Sequence, residues 1–86
     1  MPFRLRDGVS TADTDYGMTL LDTDSGEYWT LNPTGALVLQ TLLDGGTPGQ
    51  AAKALTEQYA VEAHTASQDV QDLVDGLESA GLVRQG

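Results

Sequence analysis

The chain has 86 residues, which fits one domain, and we expect a single unit spanning residues 1–86. Thirteen acidic residues and four basic ones give it a net charge of −9. Such a surface repels phosphate backbones and anionic lipid and attracts basic partners. The chain contains no cysteine, which excludes disulfides, thiolate metal sites and thiol nucleophiles.

The hydropathy pattern gives no sign of a membrane segment. No apolar run approaches the ~20 residues that a membrane span needs, and the N-terminal MPFRLRDGV lacks the apolar stretch of a signal peptide. We therefore expect a cytoplasmic protein that has neither nucleic acid nor a membrane as a partner.

Three strands are predicted before Asn32. The first lies in FRLRDGV, the second in YGMTLLDTD and the third in EYWTLN, because each segment is rich in β-forming or alternating residues. The intervening STADTD predicts a polar connection. The turn residues Asp24-Ser25-Gly26 predict a hairpin loop of two or three residues between the second and third strands.

Three helices are predicted after the strands, each with a start and a stop signal. Asn32 is the predicted N-cap of the first helix, with Pro33 as its first residue. Thr47 and Gln50 form the pattern of a capping box at the start of the second helix. The same pattern recurs in TASQ, which predicts that Thr65 caps the third helix, and Gly81 predicts its end.

Strands grouped before helices predict an α+β fold rather than a βαβ repeat. We expect an N-terminal three-stranded antiparallel sheet packed on three helices. The second and third helices resemble a helix-turn-helix pair, so the whole chain is predicted to be winged-helix-like.

The sequence offers little for catalysis. His64 is the only histidine, and a lone histidine in a loop is far more often a surface residue than a base or a ligand. The acids Asp22, Asp24 and Glu27 near the predicted hairpin do not follow the order of a calcium loop. We therefore predict a protein that is not an enzyme and that has no catalytic residues, metal or cofactor.

DNA binding is also disfavoured, although a helix-turn-helix shape suggests it. The third helix would be the recognition helix, and it carries four acidic residues and no lysine or arginine. Contacts with DNA phosphates need basic groups. These four acids are Asp69, Asp72, Asp75 and Glu78.

Peptide binding fits the pattern better. The edge of a sheet offers unpaired backbone groups to an extended peptide, and side-chain pockets beside it provide selectivity. The third helix places acids beside its apolar face, which suits a peptide that alternates apolar and basic residues. On this helix the predicted peptide-binding residues are the acids Asp69 and Asp72 and the apolar residues Val70, Leu73 and Leu77.

The sequence of these segments resembles that of the PqqD-like family. The similarity is carried by LLDTDSGEYWTLNPTGALVLQTLLDGGT, AAKALTEQYAV and DVQDLVDGLESAGLV, and it covers nearly the whole chain. Members of this family are leader-peptide recognition elements of ribosomally made, post-translationally modified peptide (RiPP) pathways. Within the family the chain most resembles the stand-alone proteins of lasso-peptide gene clusters.

The resemblance implies a function and partners. The leader of a precursor peptide would add as a strand to Glu27–Leu31 and pack against the helix over Thr65–Ala80. The peptide-binding residues predicted with this resemblance are Glu27, Tyr28, Trp29, Thr30, Leu31, Asp69, Val70, Asp72, Leu73, Gly76 and Leu77. The protein would then present the precursor to a separate leader peptidase and to a cyclase. Two alternatives stay open at this point. One is a peptide chaperone of another modified-peptide or quinone-cofactor pathway, and the other is a non-catalytic winged-helix interaction protein.

Overall fold

The computed structural model describes residues 3–85 as five short strands and three helices. The elements in chain order are β1 (Phe3–Leu5), β2 (Val9–Thr14), β3 (Gly17–Asp22), β4 (Tyr28–Leu31), α1 (Pro33–Leu43), α2 (Pro48–Tyr59), α3 (Ala63–Ser79) and β5 (Val83–Gln85). The α+β class predicted from the order of the segments is confirmed.

The sheet arrangement differs from the prediction. The three-stranded antiparallel sheet is formed by β2, β3 and β4, whereas β1 pairs with β5 at the other end of the chain. The segment STADTD, predicted to be a connection, supplies most of β2. Its side chains are nearly all exposed, so it lacks the apolar alternation of a half-buried strand, and its pairing with β3 fixes it instead.

The hairpin between β3 and β4 also differs from the prediction. Residues 23–27 connect the two strands, and the backbone N–H of Asp22 donates to the carbonyl of Glu27 at 2.9 Å. The loop is therefore longer than the predicted two or three residues. Gly26 provides the turn with its left-handed backbone, at φ 78°.

Two of the predicted helix starts are confirmed. The Asn32 side chain accepts a hydrogen bond from the N–H of Gly35 at 2.9 Å, which caps α1. At the start of α2, the N–H of Gln50 donates to the Thr47 hydroxyl at 3.1 Å, and the Gln50 side chain accepts from the N–H of Thr47 at 2.8 Å. Both helices then have proline at the first position, where its missing N–H costs nothing.

The predicted cap of α3 was wrong. The helix begins at Ala63, two residues before the predicted cap Thr65. The carboxylate of Glu62 accepts hydrogen bonds from the N–H groups of His64 and Thr65, at 3.0 and 3.1 Å. A carboxylate with two oxygens can satisfy two of the free N–H groups of a first turn, and it also interacts favourably with the helix dipole.

The core forms two adjoining clusters of buried aliphatic residues. One joins α1, α2 and α3, and the other joins the inner face of the β2–β3–β4 sheet to α1, α3 and the C-terminal segment. α1 contributes to both, through Val38 and Leu42 in the first and Leu39 in the second. Leu73 of α3 packs against both clusters from a partly buried position.

Arg6 joins three distant parts of the fold. Its Nε donates to the carbonyl of Gly81 at 2.5 Å, and one terminal nitrogen pairs with the Asp22 carboxylate at 2.6 Å. Asp24 lies 3.6 Å from the other terminal nitrogen. One partly buried guanidinium therefore links the segment after α3 to the β3–β4 hairpin.

Candidate functional site

β4 has a free edge along its outer side. It pairs with β3, and no other strand among residues 3–85 pairs with it. In an antiparallel ladder the residues of a strand alternate between bonding to the neighbour and facing away from it. Because Glu27 bonds to Asp22, the N–H and C=O groups of Tyr28 and Thr30 point toward the free edge. The edge thus offers two donors and two acceptors to an added strand.

The side chains of β4 divide between the two faces of the sheet. Trp29 lies opposite Leu20 and Leu31 lies opposite Met18, so these four residues share the face that packs on the helices. Tyr28 lies opposite Leu21 on the outer face and is 70% exposed. Trp29 is on the inner face yet 44% exposed, because it occupies the edge strand. It therefore borders the core rather than filling it.

A cavity of about 280 Å³ opens beside the end of β4. One wall comes from the start of α1 and the other from α3, and the floor is apolar. Its lining residues are Asn32, Thr34, Gly35, Val38, Leu55, Asp69, Asp72 and Leu73. We call the surface from the free edge of β4 through this cavity to α3 the β4–α3 groove.

The acidic lip of the groove consists of Asp69 and Asp72, which lie on one flank of α3 at a spacing of three residues. Asp72 accepts a hydrogen bond from the Gln68 side chain at 2.9 Å, which fixes its orientation. Leu73 continues the flank as a partly buried apolar surface. An apolar floor beside two carboxylates suits an apolar side chain that neighbours a basic one.

Of the eleven predicted site residues, eight are exposed or partly buried and three are buried. Asp69, Asp72 and Leu73 line the cavity, and Tyr28, Trp29 and Thr30 are exposed along β4. Gly76 is exposed on α3, and Glu27 lies in the loop just before β4. The remaining three predicted residues, which are Leu31, Val70 and Leu77, are buried in the core.

Sequence reasoning missed five of the eight residues that line the cavity. Val38 and Leu55 form part of the floor, and Thr34 and Gly35 form the wall from α1. Asn32 was predicted only as a helix cap, although its position directly after the edge strand was a usable signal. The two floor residues carry no such signal, since they are apolar like the rest of the core.

Other polar clusters among the described residues have structural partners. The carboxylate of Asp22 accepts from the N–H groups of Asp24 and Ser25 and pairs with Arg6. Although partial burial raises the pKa of Asp22, these hydrogen bonds and the Arg6 charge together hold it below its ordinary value. No group of three or more metal-binding side chains is assembled within residues 3–85.

A second hollow of about 360 Å³ is lined by uncharged residues and includes none of the predicted site residues. Its lining residues are Phe3, Leu42, Gly45, Gly46, Thr47, Pro48 and Val74. A search of the described helices finds none that is both long and apolar enough to cross a membrane.

Comparison with protein families identifies the chain. The model of the family described as coenzyme PQQ synthesis protein D (PqqD) matches residues 17–83. The chain belongs to the PqqD family. The range matched by the PqqD model runs from the first residue of β3 to the first residue of β5, so it includes β4, the cavity and α3. A search of curated proteins returned no match.

Solved structures similar to this PqqD-family chain include two described with bound leader peptides. One, "Lasso peptide synthetase B1 complexed with the leader peptide", is 49% identical with a TM-score of 0.91, and the match covers 99% of this chain and 100% of that one. The other, TbiB1 in complex with the TbiA(beta) leader peptide, is 25% identical with a TM-score of 0.84 and 96% coverage of both chains.

A third solved structure supports the fold alone. It is the PqqD truncation of Methylobacterium extorquens PqqCD, described as a stand-alone RiPP recognition element. It is 23% identical with a TM-score of 0.75, and the match covers 96% of this chain and 88% of that one.

Proposed function

We propose that this protein binds the leader region of a ribosomally synthesised precursor peptide and acts as the recognition element of a lasso-peptide pathway. The observation that carries the proposal is the free edge of β4 beside a cavity with an apolar floor and an acidic lip. The 49% identity to a lasso peptide synthetase B1 solved with a leader peptide supports it further. In this proposal the protein is a non-catalytic cytoplasmic adaptor.

The leader adds as a strand to β4. Its backbone pairs with the N–H and C=O groups of Tyr28 and Thr30, and alternate side chains then point into the β4–α3 groove. The backbone bonds supply affinity that is independent of sequence. The cavity supplies selectivity for an apolar side chain, and Asp69 and Asp72 favour a basic neighbour.

The decisive experiment is a titration with the precursor peptide encoded beside this gene, divided into labelled leader and core halves. We expect the leader half to bind at micromolar concentration or tighter and the core half not to bind. Absence of leader binding up to about 100 μM, which is about 2.7 kcal/mol weaker than the expected micromolar affinity, would overturn the proposal.

Strand addition itself is tested at Thr30. Thr30→Pro removes an N–H that faces the free edge, and proline is tolerated at such edge positions. We expect the variant to fold and to lose at least about tenfold in leader affinity, since the lost hydrogen bond leaves a leader carbonyl unpaired. Thr30→Val is the matched control, because it keeps the N–H and should bind like the unmodified protein.

The acidic lip is tested by Asp69→Lys combined with Asp72→Lys. Exposed charge contacts contribute about 0.2–1 kcal/mol each, so we expect leader affinity to fall several-fold and its salt dependence to weaken. Asp44→Lys with Glu57→Lys makes the same change in net charge at exposed positions that do not line the cavity. Equal effects of the two pairs would mean that only net charge matters.

The outer face of the three-stranded sheet is the proposed docking surface for a separate leader peptidase. Six of its seven residues are exposed, and all seven are uncharged in a chain with 20% charged residues. Because β4 is the edge strand of this face, a leader strand paired with β4 would extend the face by one strand. Its residues are Ser10, Ala12, Thr14, Thr19, Leu21, Tyr28 and Thr30.

Tyr28→Asp tests this surface, because its side chain points away from the groove. We expect leader affinity to stay within about twofold, while leader cleavage by the peptidase encoded beside this gene falls at least about tenfold. Tyr59→Asp, at an exposed tyrosine of α2, is the matched control. Unchanged cleavage with Tyr28→Asp would exclude the outer face. The cyclase is proposed to act after the peptidase, on the released core.

A further inference from the structure

The three-stranded sheet has a second free edge, which runs along β2. This strand pairs with β3 on one side, and no other strand among residues 3–85 pairs with its other side. The N–H of Thr23 donates to the carbonyl of Gly8 at 2.8 Å, and the alternation of an antiparallel ladder continues from this pair into β2. The N–H and C=O groups of Thr11 and Asp13 therefore point away from β3. The edge offers two donors and two acceptors, as many as β4 does.

The two edges differ in the side chains that they place on the inner face of the sheet. Two rows of residues cross this face from β2 through β3 to β4. The rows are Thr11 with Leu20 and Trp29, and Asp13 with Met18 and Leu31. Both rows end on an apolar residue at β4 and on a polar residue at β2. Asp13 therefore occupies on β2 the position that Leu31 occupies on β4.

Asp13 is the one charged residue of β2, and it is exposed although it belongs to the inner face. Its neighbour Met18 is buried, so the carboxylate lies where the buried face meets water. A strand added to β2 would place a side chain beside Asp13 and remove water from the carboxylate. Burial of an unpaired charge is costly, and proteins protect the edges of sheets with charges that point inward.

A second copy of the chain is the partner that the backbone of this edge would otherwise fit. Two β2 strands related by a twofold axis pair antiparallel, and each presents the same donors and acceptors to the other. With the axis at Ala12, Thr11 of each copy lies opposite Asp13 of the other. The two carboxylates then become diagonal neighbours about 7–8 Å apart on one face of the joined sheet, where they repel each other.

We propose that Asp13 closes the β2 edge to a second copy of the chain, so that the sheet accepts an added strand at β4 alone. The four residues of β4, Tyr28–Leu31, include no charged residue and no proline, so that edge stays open. The proposal goes beyond leader binding and does not depend on it, because self-association is measured without a leader.

Sedimentation equilibrium of Asp13→Val tests the proposal, in about 500 mM NaCl so that general charge repulsion is screened. Valine favours strands and the position is exposed, so the fold should be retained. We expect the mean mass to rise from that of one chain towards that of two between about 10 μM and 1 mM. The unmodified protein should keep the mass of one chain. A single-chain mass for Asp13→Val throughout this range would overturn the proposal.

Two control variants separate an effect of the edge from an effect of net charge or of added apolar surface. Asp13→Lys replaces a negative charge with a positive one, which changes the net charge from −9 to −7, but it keeps an inward-pointing charge. Asp15→Val makes the same substitution as Asp13→Val in the exposed turn between β2 and β3. Both should remain single chains. Association of either variant as strong as that of Asp13→Val would overturn the proposal.

Proline substitutions identify the edge that associates. Thr11→Pro removes an N–H that faces the free edge of β2, and it should return Asp13→Val to a single chain. Thr30→Pro removes an N–H from the edge of β4 and should leave the association of Asp13→Val unchanged. Loss of association with Thr30→Pro would place it at β4 and overturn the proposal. If the leader does not bind the unmodified protein, the proposed function falls while the role of Asp13 stands.

Discussion

At the scale of single residues, the geometry of the groove depends on a few positions where the backbone or a cap leaves no choice. Gly17 begins β3 at φ 142°, and a Cβ there would lie 2.0 Å from the carbonyl oxygen of Leu31. Only glycine therefore allows the start of β3 to approach the end of β4. The backbone of Gly17 therefore packs closely against Leu31 and Asn32, which lie where α1 and the cavity begin.

Gly17→Ala should destabilise the protein by about 3 kcal/mol, because the methyl group would overlap main-chain atoms that cannot move independently. Chemical denaturation measures the change. Gly26→Ala is the control: its φ is also positive, at 78°, but nothing lies within 4 Å, so a cost of about 1–2 kcal/mol is expected. Equal costs would show that the contact with Leu31 is unimportant.

Glu62 makes the stability of α3 depend on pH. The N–H groups of His64 and Thr65 donate to its carboxylate and lower its pKa from the ordinary value of 4.5. A group with a lowered folded pKa contributes stability above its unfolded value, and this is lost as the pH falls through the folded value. The contribution of the cap should therefore be complete above about pH 4.5 and decline below it.

Glu62→Gln should lower the free energy of unfolding at pH 7 and reduce its loss on acidification below pH 4.5. Thermal unfolding across pH 3–7 measures both effects. Glu57→Gln removes the same charge from an exposed position of α2 and should leave the acid dependence nearly unchanged. A steeper acid dependence in Glu62→Gln would contradict the assignment of the cap.

At the scale of elements, the end of α2 has a strained backbone. The turns after β3 and α1 place glycines, Gly26 and Gly45, at positive φ, whereas the turn after α2 places an alanine there. Ala60 follows α2 with a left-handed backbone, at φ 52° and ψ 34°. Among residues 3–85, Ala60 alone has a positive φ without being glycine. Left-handed backbone costs a residue with a side chain about 1–2 kcal/mol. The turn from α2 into α3 is therefore formed by tertiary packing rather than by its own sequence preference.

Ala60→Gly should consequently stabilise the protein by about 1 kcal/mol, because glycine adopts this conformation without the steric cost. Ala54→Gly, in the interior of α2, should destabilise it by about 1 kcal/mol. The two variants make the same substitution, so the sign of each change in unfolding free energy decides the matter. If both variants lost stability, the conclusion that Ala60 has a strained backbone would be wrong.

At the scale of the whole molecule, charge repulsion opposes folding. The net charge is −9, with thirteen acidic residues and four basic ones, and Arg6 and Lys53 are two of the bases that form ion pairs within residues 3–85. Salt screens exposed repulsions and exposed attractions alike, and here repulsions dominate. The same acidic surface favours a basic leader, so the feature that lowers stability also supports the proposed binding.

Raising the NaCl concentration from 50 to 500 mM should therefore increase the melting temperature by several degrees. Asp13→Asn with Asp15→Asn reduces the net charge from −9 to −7 at two exposed positions. This variant should melt at a higher temperature in low salt and respond less to added salt. A melting temperature that falls with salt would show that attractive pairs dominate instead.

The sequence by itself determined the three helices and the α+β class, and it predicted the general place of the candidate site. Caps, prolines and glycines act locally, so Asn32-Pro33 and the Thr47–Gln50 box could be recognised without knowing the rest of the fold. The acids of α3 could likewise be placed beside its apolar face, because helical spacing alone fixes which residues are neighbours.

Only the tertiary structure decided the partners of the strands and the shape of the groove. β2 carries no apolar alternation and β1 pairs with β5 from the far end of the chain, so long-range hydrogen bonds rather than local pattern set both. The face of the sheet that Trp29 occupies follows from its register opposite Leu20, which a one-residue slip would reverse. Val38 and Leu55 become a cavity floor solely because α1, α2 and α3 meet there, a fact that no local spacing encodes.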